Sequence, residues 1–130
     1  MTDNIYDAVI IGAGVIGLAI SRKLAQEGKN ILIIEEQGQI GSVTSSRNSG
    51  VIHAGVYYDK DSLKAKFCPE GNRRMYEYCD SRSVPHLNTG KFIVATSNNE
   101  IEKLEKIYDQ AKSVGVIDIE KVSGNHVSNV

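Results

Sequence analysis

The sequence has few of the features that a nucleic-acid-binding protein, a membrane-spanning protein or a metal-binding protein needs. Its 15 lysine and arginine residues stand against 16 aspartate and glutamate residues, so the net charge of −1 gives no field that would attract nucleic acid. No segment approaches the ~18 consecutive apolar residues of a transmembrane helix. Cys68 and Cys79 form no Cys-x-x-Cys motif, and no cluster of His and Cys has metal-ligand spacing. An ordinary globular domain without a metal is therefore expected, and 41% hydrophobic and 24% charged residues are typical of one.

Sorting signals, internal repeats and low-complexity segments are also missing from the sequence. The first strand is expected to begin by about Tyr6, which leaves no room for a signal or transit peptide. The cytoplasm is therefore the expected compartment, and peripheral attachment of a longer protein to a membrane stays open. A length of 130 residues corresponds to one domain.

What the sequence does contain is a glycine-rich turn between an apolar run and an amphipathic stretch. Gly12, Gly14 and Gly17 form a Gly-x-Gly-x-x-Gly motif, and a second apolar run ends in Glu35. This order predicts a strand over 6–11, a helix over 14–27 and a strand over 30–35, which together make the βαβ unit of a dinucleotide-binding fold. The second strand is almost wholly apolar, which predicts burial on both faces. A strand, turn and helix without any ligand is the simpler alternative.

Each glycine of the motif has an expected role. Gly12 permits a tight turn, Gly14 lets the backbone approach a pyrophosphate at the positive end of the helix dipole, and Gly17 permits close packing of the helix on the strand. Glu35 can accept hydrogen bonds from ribose hydroxyls, and its charge would repel a 2′-phosphate. The pattern therefore favours an unphosphorylated adenosine, as in NAD or FAD, over NADP.

Further elements are predicted beyond the second strand. They are a helix over 62–82, strands over 84–88 and 91–96, a helix over 97–114 and a short strand over 116–119. Pro69 predicts a kink in the first of these helices, or a restart of the helix at that residue. Ser97 and Glu100 have the spacing of a capping box. The candidate buried side chains of the helix over 62–82 are Leu63, Phe67, Met75, Tyr78 and Cys79.

Between these two regions, residues 37–55 are rich in glycine, serine, threonine and asparagine. This composition predicts a loop with at most a short helical turn. Long ordered loops inside a compact domain are usually functional, and a solvated surface loop is the alternative.

Several runs of this sequence carry a resemblance to a known family. They are Thr44–Gly55 (TSSRNSGVIHAG), Val56–Tyr58 (VYY), Ser62–Lys66 (SLKAK) and Gly90–Ala95 (GKFIVA). With the glycine motif, they resemble FAD-dependent oxidoreductases of the D-amino-acid oxidase superfamily, and most of all its L-2-hydroxyglutarate dehydrogenase/oxidase branch. The resemblance implies an α/β fold in which a Rossmann-like FAD-binding βαβ unit is followed by the start of a mixed α+β region, incomplete as a domain.

The resemblance also implies which residues bind FAD. The ADP half would be held by the glycine turn and by the acidic end of the second strand, and the loop would lie along the pyrophosphate and ribityl chain. The cofactor-binding residues implied in this way are Gly12, Gly14, Val15, Ile16, Gly17, Glu35, Glu36, Thr44, Ser45, Ser46, Arg47, Asn48, Ser49, Gly50 and Val51. Arg47 could pair with a phosphate or with a substrate carboxylate, or it could be a solvated surface side chain.

His53 follows this loop and is the candidate catalytic residue. In such an enzyme a base takes the hydroxyl proton of the substrate while the α-hydrogen leaves as a hydride to the flavin. A hydrogen-bonded structural histidine is the alternative for His53.

The function implied is FAD-dependent oxidation of a small 2-hydroxy acid, with L-2-hydroxyglutarate as the substrate and 2-oxoglutarate as the product. Alternatives are an amino-acid or amine oxidase, a glycerol-3-phosphate dehydrogenase of the same superfamily, or an inactive nucleotide-binding remnant. The expected partner is the small-molecule substrate, with oxygen, a quinone or a carrier protein as the electron acceptor and without nucleic acid.

The family needs a considerably longer chain than this one. We therefore expect residues 1–130 to be the N-terminal part of an FAD-binding domain, in a fragment of a longer enzyme. Residues 1–60 would form the dinucleotide-binding unit and flavin loop, and residues 61–130 would continue toward a substrate domain. Whether these residues bind FAD alone stays open.

Overall fold

A computed structural model describes residues 5–127 and contains both helices and strands. The described chain divides into two compact units, one within residues 1–51 and the other within residues 52–130. The elements are β1 (Ala8–Ile11), α1 (Val15–Gln26), β2 (Ile31–Ile34), α2 (Leu63–Arg82), α3 (Asn98–Ser113) and α4 (Gly124–Val127), with a short 3₁₀ turn at Thr44–Ser46. The predicted helical turn in the loop is thus confirmed.

The first unit is a βαβ arrangement around a two-stranded parallel sheet. Ala8 pairs with Ile31 and Ile11 pairs with Ile34, so the two strands end at the same edge of the sheet. The βαβ prediction is confirmed, and each strand is shorter than the sequence indicates.

Helix α1 ends where the sequence predicts, because Gly28 supplies a left-handed backbone. Gly28 has a φ of +77°. Its N–H donates to the carbonyl of Ala25, and the N–H of Lys29 donates to the carbonyl of Leu24. These two bonds form a Schellman motif, which satisfies carbonyls that the helix would otherwise leave unpaired.

The sheet has one covered face in this unit. Helix α1 packs against both strands, and Gly17 of that helix lies over Ile10. Side chains alternate between the faces, so Val9, Ile11 and Ile34 lie on the opposite face, where they are 52%, 86% and 48% exposed. The prediction that β2 is buried on both faces is therefore wrong for the described residues, because α1 alone covers the sheet within this unit.

The second unit has a small core made by α3 and by irregular segments. Val56, Ala111 and Val116 form this core, with Ile93 and Ile119 half-buried against it. The strands predicted over 84–88, 91–96 and 116–119 are absent from the described residues. Only Ile93, Val116 and Ile119 of these segments pack in or against the core. A strand without a paired neighbour is not stable on its own.

Helix α2 is one continuous helix through Pro69, so the restart predicted at that residue is wrong. The candidate buried positions of this helix are also mostly wrong. Leu63 and Phe67 are 71% and 58% exposed, whereas Cys79 is buried as predicted and Ala65 is buried as well. Met75 and Tyr78 are exposed too.

Helix α3 is confirmed, and Ser97 precedes its first residue. The capping box does not form as predicted, because Glu100 bonds to Thr96, one residue before Ser97. The Glu100 carboxylate accepts hydrogen bonds from the N–H and hydroxyl of Thr96, whereas the Ser97 side chain accepts none from the helix backbone.

Candidate functional site

The glycine turn lies at the carboxyl ends of both strands. The N–H of Gly12 donates to the carbonyl of Ile34 over 2.7 Å, which ties the start of the turn to the end of β2. Gly12 has a φ of +94°, a region that other L-residues rarely adopt. No atom beyond its chain neighbours lies within 4 Å of the place where a Cβ would stand, so backbone conformation is the reason for glycine here.

Gly17 is required by close contact instead. A Cβ on Gly17 would lie 2.0 Å from the carbonyl oxygen of Gly12 and 3.3 Å from Cγ2 of Ile10. This is the close packing of helix on strand that the sequence predicts.

The N-terminus of α1 offers several backbone donors. Among the hydrogen bonds of residues 5–127, none uses the N–H of Gly14, Ile16 or Gly17. These groups lie at the positive end of the helix dipole, where an anion is stabilised. The arrangement therefore fits a ligand that brings negatively charged oxygens, such as a pyrophosphate.

Glu35 lies directly after β2 and is held by the turn. Its carboxylate accepts a hydrogen bond from the N–H of Ala13 at 2.6 Å through Oε2, and from the N–H of Gln37 at 2.9 Å through Oε1. These two bonds, first that of Gln37 and then that of Ala13, lower the pKa of Glu35 below its ordinary value. Glu35 is thus an oriented, charged acceptor, and each oxygen keeps a lone pair for a second donor. That the hydroxyls of a ribose donate hydrogen bonds to these Glu35 oxygens stays a prediction.

Ser45 comes from the loop and reaches the same helix N-terminus. Its hydroxyl oxygen accepts the N–H of Val15 at 2.9 Å. A Cβ on Gly14 would lie 3.0 Å from that oxygen. The structure thus brings part of the predicted loop to the predicted turn.

The rest of the loop is mostly exposed and braced by local hydrogen bonds. The Ser46 hydroxyl donates to the carbonyl of Val43, and Asn48 bonds to the carbonyl of Ser45 and to the N–H of Gly50. Arg47 is exposed and makes no ion pair with any residue in the described range. The other predicted residues with exposed side chains are Val15, Ile16, Glu36, Thr44, Ser49 and Val51. Their contact with a cofactor stays a prediction.

His53 belongs to the second unit, and its ring is exposed. Its carbonyl accepts hydrogen bonds from Sγ of Cys68 at 3.1 Å and from Nδ2 of Asn72 at 3.3 Å. These contacts fix its backbone and leave the imidazole available to a ligand. The catalytic role of His53 stays a prediction.

The sequence did not single out Ala13, which connects three parts of the site. Ala13 is 1% exposed. Its N–H donates to Glu35, and its carbonyl accepts the N–H of Gly41 at 3.0 Å. The signal for it is the small residue between two glycines of the motif, where no large side chain fits.

Two negative findings concern residues 5–127 only. No group of three or more His, Cys, Asp or Glu side chains is placed to hold a metal ion. None of the helices there has both the length and the apolar character that crossing a membrane requires.

Comparison with known proteins adds a family match. The family model described as FAD dependent oxidoreductase matches residues 7–129. This sequence is 52% identical over 99 residues to a protein of Arabidopsis thaliana, 43% identical over 117 residues to one of Dictyostelium discoideum and 39% identical over 127 residues to one of Caenorhabditis elegans. Each of the three is named L-2-hydroxyglutarate dehydrogenase, mitochondrial.

The matches cover most of this chain and a minor part of each relative. They include 76%, 88% and 96% of the chain, and 20%, 26% and 29% of the respective relative. The chain thus spans less than a third of the length of these relatives.

Proposed function

Because this chain belongs to the family of FAD-dependent oxidoreductases, we propose that its first unit binds the ADP half of FAD in an enzyme that oxidises L-2-hydroxyglutarate to 2-oxoglutarate. The main support for this site is that the N–H groups of Gly14, Ile16 and Gly17 have no hydrogen-bond partner among the described residues. The names of the three relatives support the substrate.

The residues of the turn fit the cofactor chemically. The unused N–H groups would bind pyrophosphate oxygens, and the Glu35 carboxylate would accept hydrogen bonds from the ribose hydroxyls. Arg47 would neutralise a phosphate or pair with a carboxylate of the substrate. FAD, when bound, supplies the two-electron acceptor for the hydride of the substrate.

The finer description of the fold belongs to the same proposal. The βαβ unit with a glycine turn supports a Rossmann-like FAD-binding domain, of which residues 1–60 are the dinucleotide-binding unit and flavin loop. Residues 61–130 continue that domain toward the part that binds substrate.

His53 is the proposed base. Its role is to accept the proton of the substrate hydroxyl as the carbon–hydrogen bond breaks, because a neutral imidazole has a nitrogen lone pair that can take up a proton. The support is its place directly after the loop and its exposed ring with a backbone fixed by Cys68 and Asn72.

The test measures how fast each candidate substrate reduces the bound flavin, in the absence of oxygen, in the full gene product that contains this chain. L-2-hydroxyglutarate is expected to bleach the visible absorption of the bound flavin, whereas D-2-hydroxyglutarate, an L-amino acid and glycerol 3-phosphate leave it unchanged. The His53→Gln variant is expected to retain flavin and to be reduced roughly 10²–10⁴-fold more slowly. A purified protein without flavin, or faster bleaching by another of these substrates, would contradict the proposal.

The cellular setting is a separate part of the proposal. The cytoplasm is the expectation from the sequence, whereas the names of the three relatives place those proteins in mitochondria. Cell fractionation followed by immunodetection decides between the two compartments. Oxygen, a quinone and a carrier protein are the candidate electron acceptors, and steady-state rates with each of them identify the one in use.

A further inference from the structure

Helix α1 begins without a cap of its own. Its N-cap residue is Gly14, which has no side chain, and its first turn contains no acidic residue. The N–H of Val15 is nevertheless paired, because the hydroxyl of Ser45 accepts it at 2.9 Å from a position 30 residues along the chain. The loop therefore supplies the capping oxygen that the helix lacks.

Ser45 is itself held in place by its surroundings. It lies in the 3₁₀ turn Thr44–Ser46, and its carbonyl accepts a hydrogen bond from Nδ2 of Asn48 at 2.9 Å. The other end of the Asn48 side chain accepts the N–H of Gly50 at 2.8 Å. A second tie joins loop and turn where Gly41 donates its N–H to the carbonyl of Ala13.

We propose that Ser45 is a positioning residue, which fastens the loop over residues 41–50 to the N-terminus of α1 before a cofactor binds. Within residues 5–127 the hydroxyl pairs with the N–H of Val15 alone, and it leaves the N–H groups of Gly14, Ile16 and Gly17 to the ligand. That this ligand is the pyrophosphate of FAD rests on the proposed function. The fastening itself is a property of the chain without cofactor.

The physical advantage is preorganisation. A loop that is already ordered loses less conformational entropy when a ligand binds, so the affinity for the ligand is higher. The fastened loop also carries Arg47, an exposed cation two residues beyond Ser45.

Gly14 takes part in the same contact. Because a Cβ at this position would lie 3.0 Å from the Ser45 oxygen, a side chain here presses on the capping hydroxyl. A side chain at position 14 therefore requires the Ser45 hydroxyl to shift by a few tenths of an ångström even in the chain without cofactor.

The test is amide hydrogen exchange at Val15 in the cofactor-free 130-residue chain, measured by NMR. Ser45→Ala removes the acceptor, so exchange at Val15 is expected to rise roughly fivefold, the equivalent of one lost cap bond. Ser45→Thr keeps the hydroxyl and is expected to restore the original rate. Ser42→Ala is the matched control, because in the described part of the chain the Ser42 hydroxyl bonds only within its own loop, to the carbonyl of Gln39.

The affinity for FAD is measured on the same proteins by quenching of flavin fluorescence. A roughly fivefold loss in Ser45→Ala, with recovery in Ser45→Thr, supports the proposal. Unchanged exchange at Val15 in Ser45→Ala overturns it. Weaker FAD binding with unchanged cofactor-free exchange also overturns it, because Ser45 would then contact the phosphates directly.

Two further outcomes separate this inference from the proposed function. Faster exchange at Val15 in Ser45→Ala supports the fastening whether or not the parent chain binds FAD, whereas a longer gene product that purifies without flavin contradicts the proposed function. If Ser45→Ala fails to fold by circular dichroism, Ser45→Thr and Ser45→Val replace the comparison, since they have the same shape and differ only in the hydroxyl. Equal exchange in these two variants overturns the proposal.

Discussion

Gly12 and Gly17 are both glycines of the turn, and the structure requires them for different physical reasons. Gly12 needs a backbone conformation, with φ at +94°, whereas Gly17 needs space, because the Gly12 carbonyl lies where its Cβ would be. The sequence predicts both positions, since the motif spacing reflects these requirements. It could not predict the contact of Ser45 with Val15, because a hydrogen bond across 30 residues depends on how the loop folds back.

Gly17→Ala is expected to lower the free energy of unfolding by about 3 kcal/mol, because a backbone carbonyl must move to admit the methyl group. Gly71→Ala is the matched control, since Gly71 also lies inside a helix and no atom stands within 4 Å of its Cβ position. That control is expected to raise the free energy of unfolding by roughly 0.5–1 kcal/mol. Urea unfolding measures both, and equal effects of the two substitutions would contradict this account.

Glu35 predicts a pH dependence of stability. Its pKa is lowered in the folded chain by the N–H groups of Gln37 and Ala13. The stabilisation is therefore present above the ordinary carboxylate range and is lost as the pH falls through the lowered folded value. Glu35→Gln is expected to be less stable than the parent chain at neutral pH, and the difference is expected to shrink on acidification. Urea unfolding at several pH values measures this difference, and a constant difference would show that the carboxylate charge contributes nothing.

At the scale of elements, the sequence predicts the first unit well and much of the second poorly. Strand β1, helix α1 and strand β2 carry local signals, such as Gly28 at the end of α1, and they form as predicted. The three strands predicted after residue 83 do not form in the described part of the chain, because strand formation depends on a partner that local sequence does not reveal. The burial pattern of α2 fails for a related reason, since burial depends on what packs against the helix.

The caps of α2 and α3 differ in a way that mutation can measure. The Ser62 hydroxyl accepts the N–H of Ala65 at 3.1 Å, whereas the Ser97 side chain accepts no bond from the backbone of its helix. Ser62→Ala is therefore expected to lower the free energy of unfolding by about 1 kcal/mol. Ser97→Ala is expected to change it by less than about 0.5 kcal/mol. Thermal or urea unfolding followed by circular dichroism checks this, and an equal loss in both variants would be the contrary result.

At the scale of the whole molecule, the chain corresponds to only part of the length of its relatives. It spans 20%, 26% and 29% of the three relatives, and its first unit leaves one apolar face of the sheet exposed at Val9, Ile11 and Ile34. The resemblance predicted from the sequence is confirmed, because the family model matches residues 7–129. Besides the glycine motif, the run from Thr44 to Gly55 indicates this family. Residues that bind substrate outside this chain cannot be predicted from its sequence.

The central claim is that the glycine turn binds the ADP half of FAD, and NMR titration of the ¹⁵N-labelled chain with ADP tests it most directly. The amide signals of Gly14, Ile16 and Gly17 are expected to shift on addition of ADP, and Gly14→Val is expected to abolish these shifts in a chain that remains folded. Adenosine 2′,5′-bisphosphate is expected to bind more weakly than AMP, because its 2′-phosphate meets the charge of Glu35. Absence of shifts at these three amides in the folded parent chain, or shifts confined to another part of the molecule, would contradict the claim.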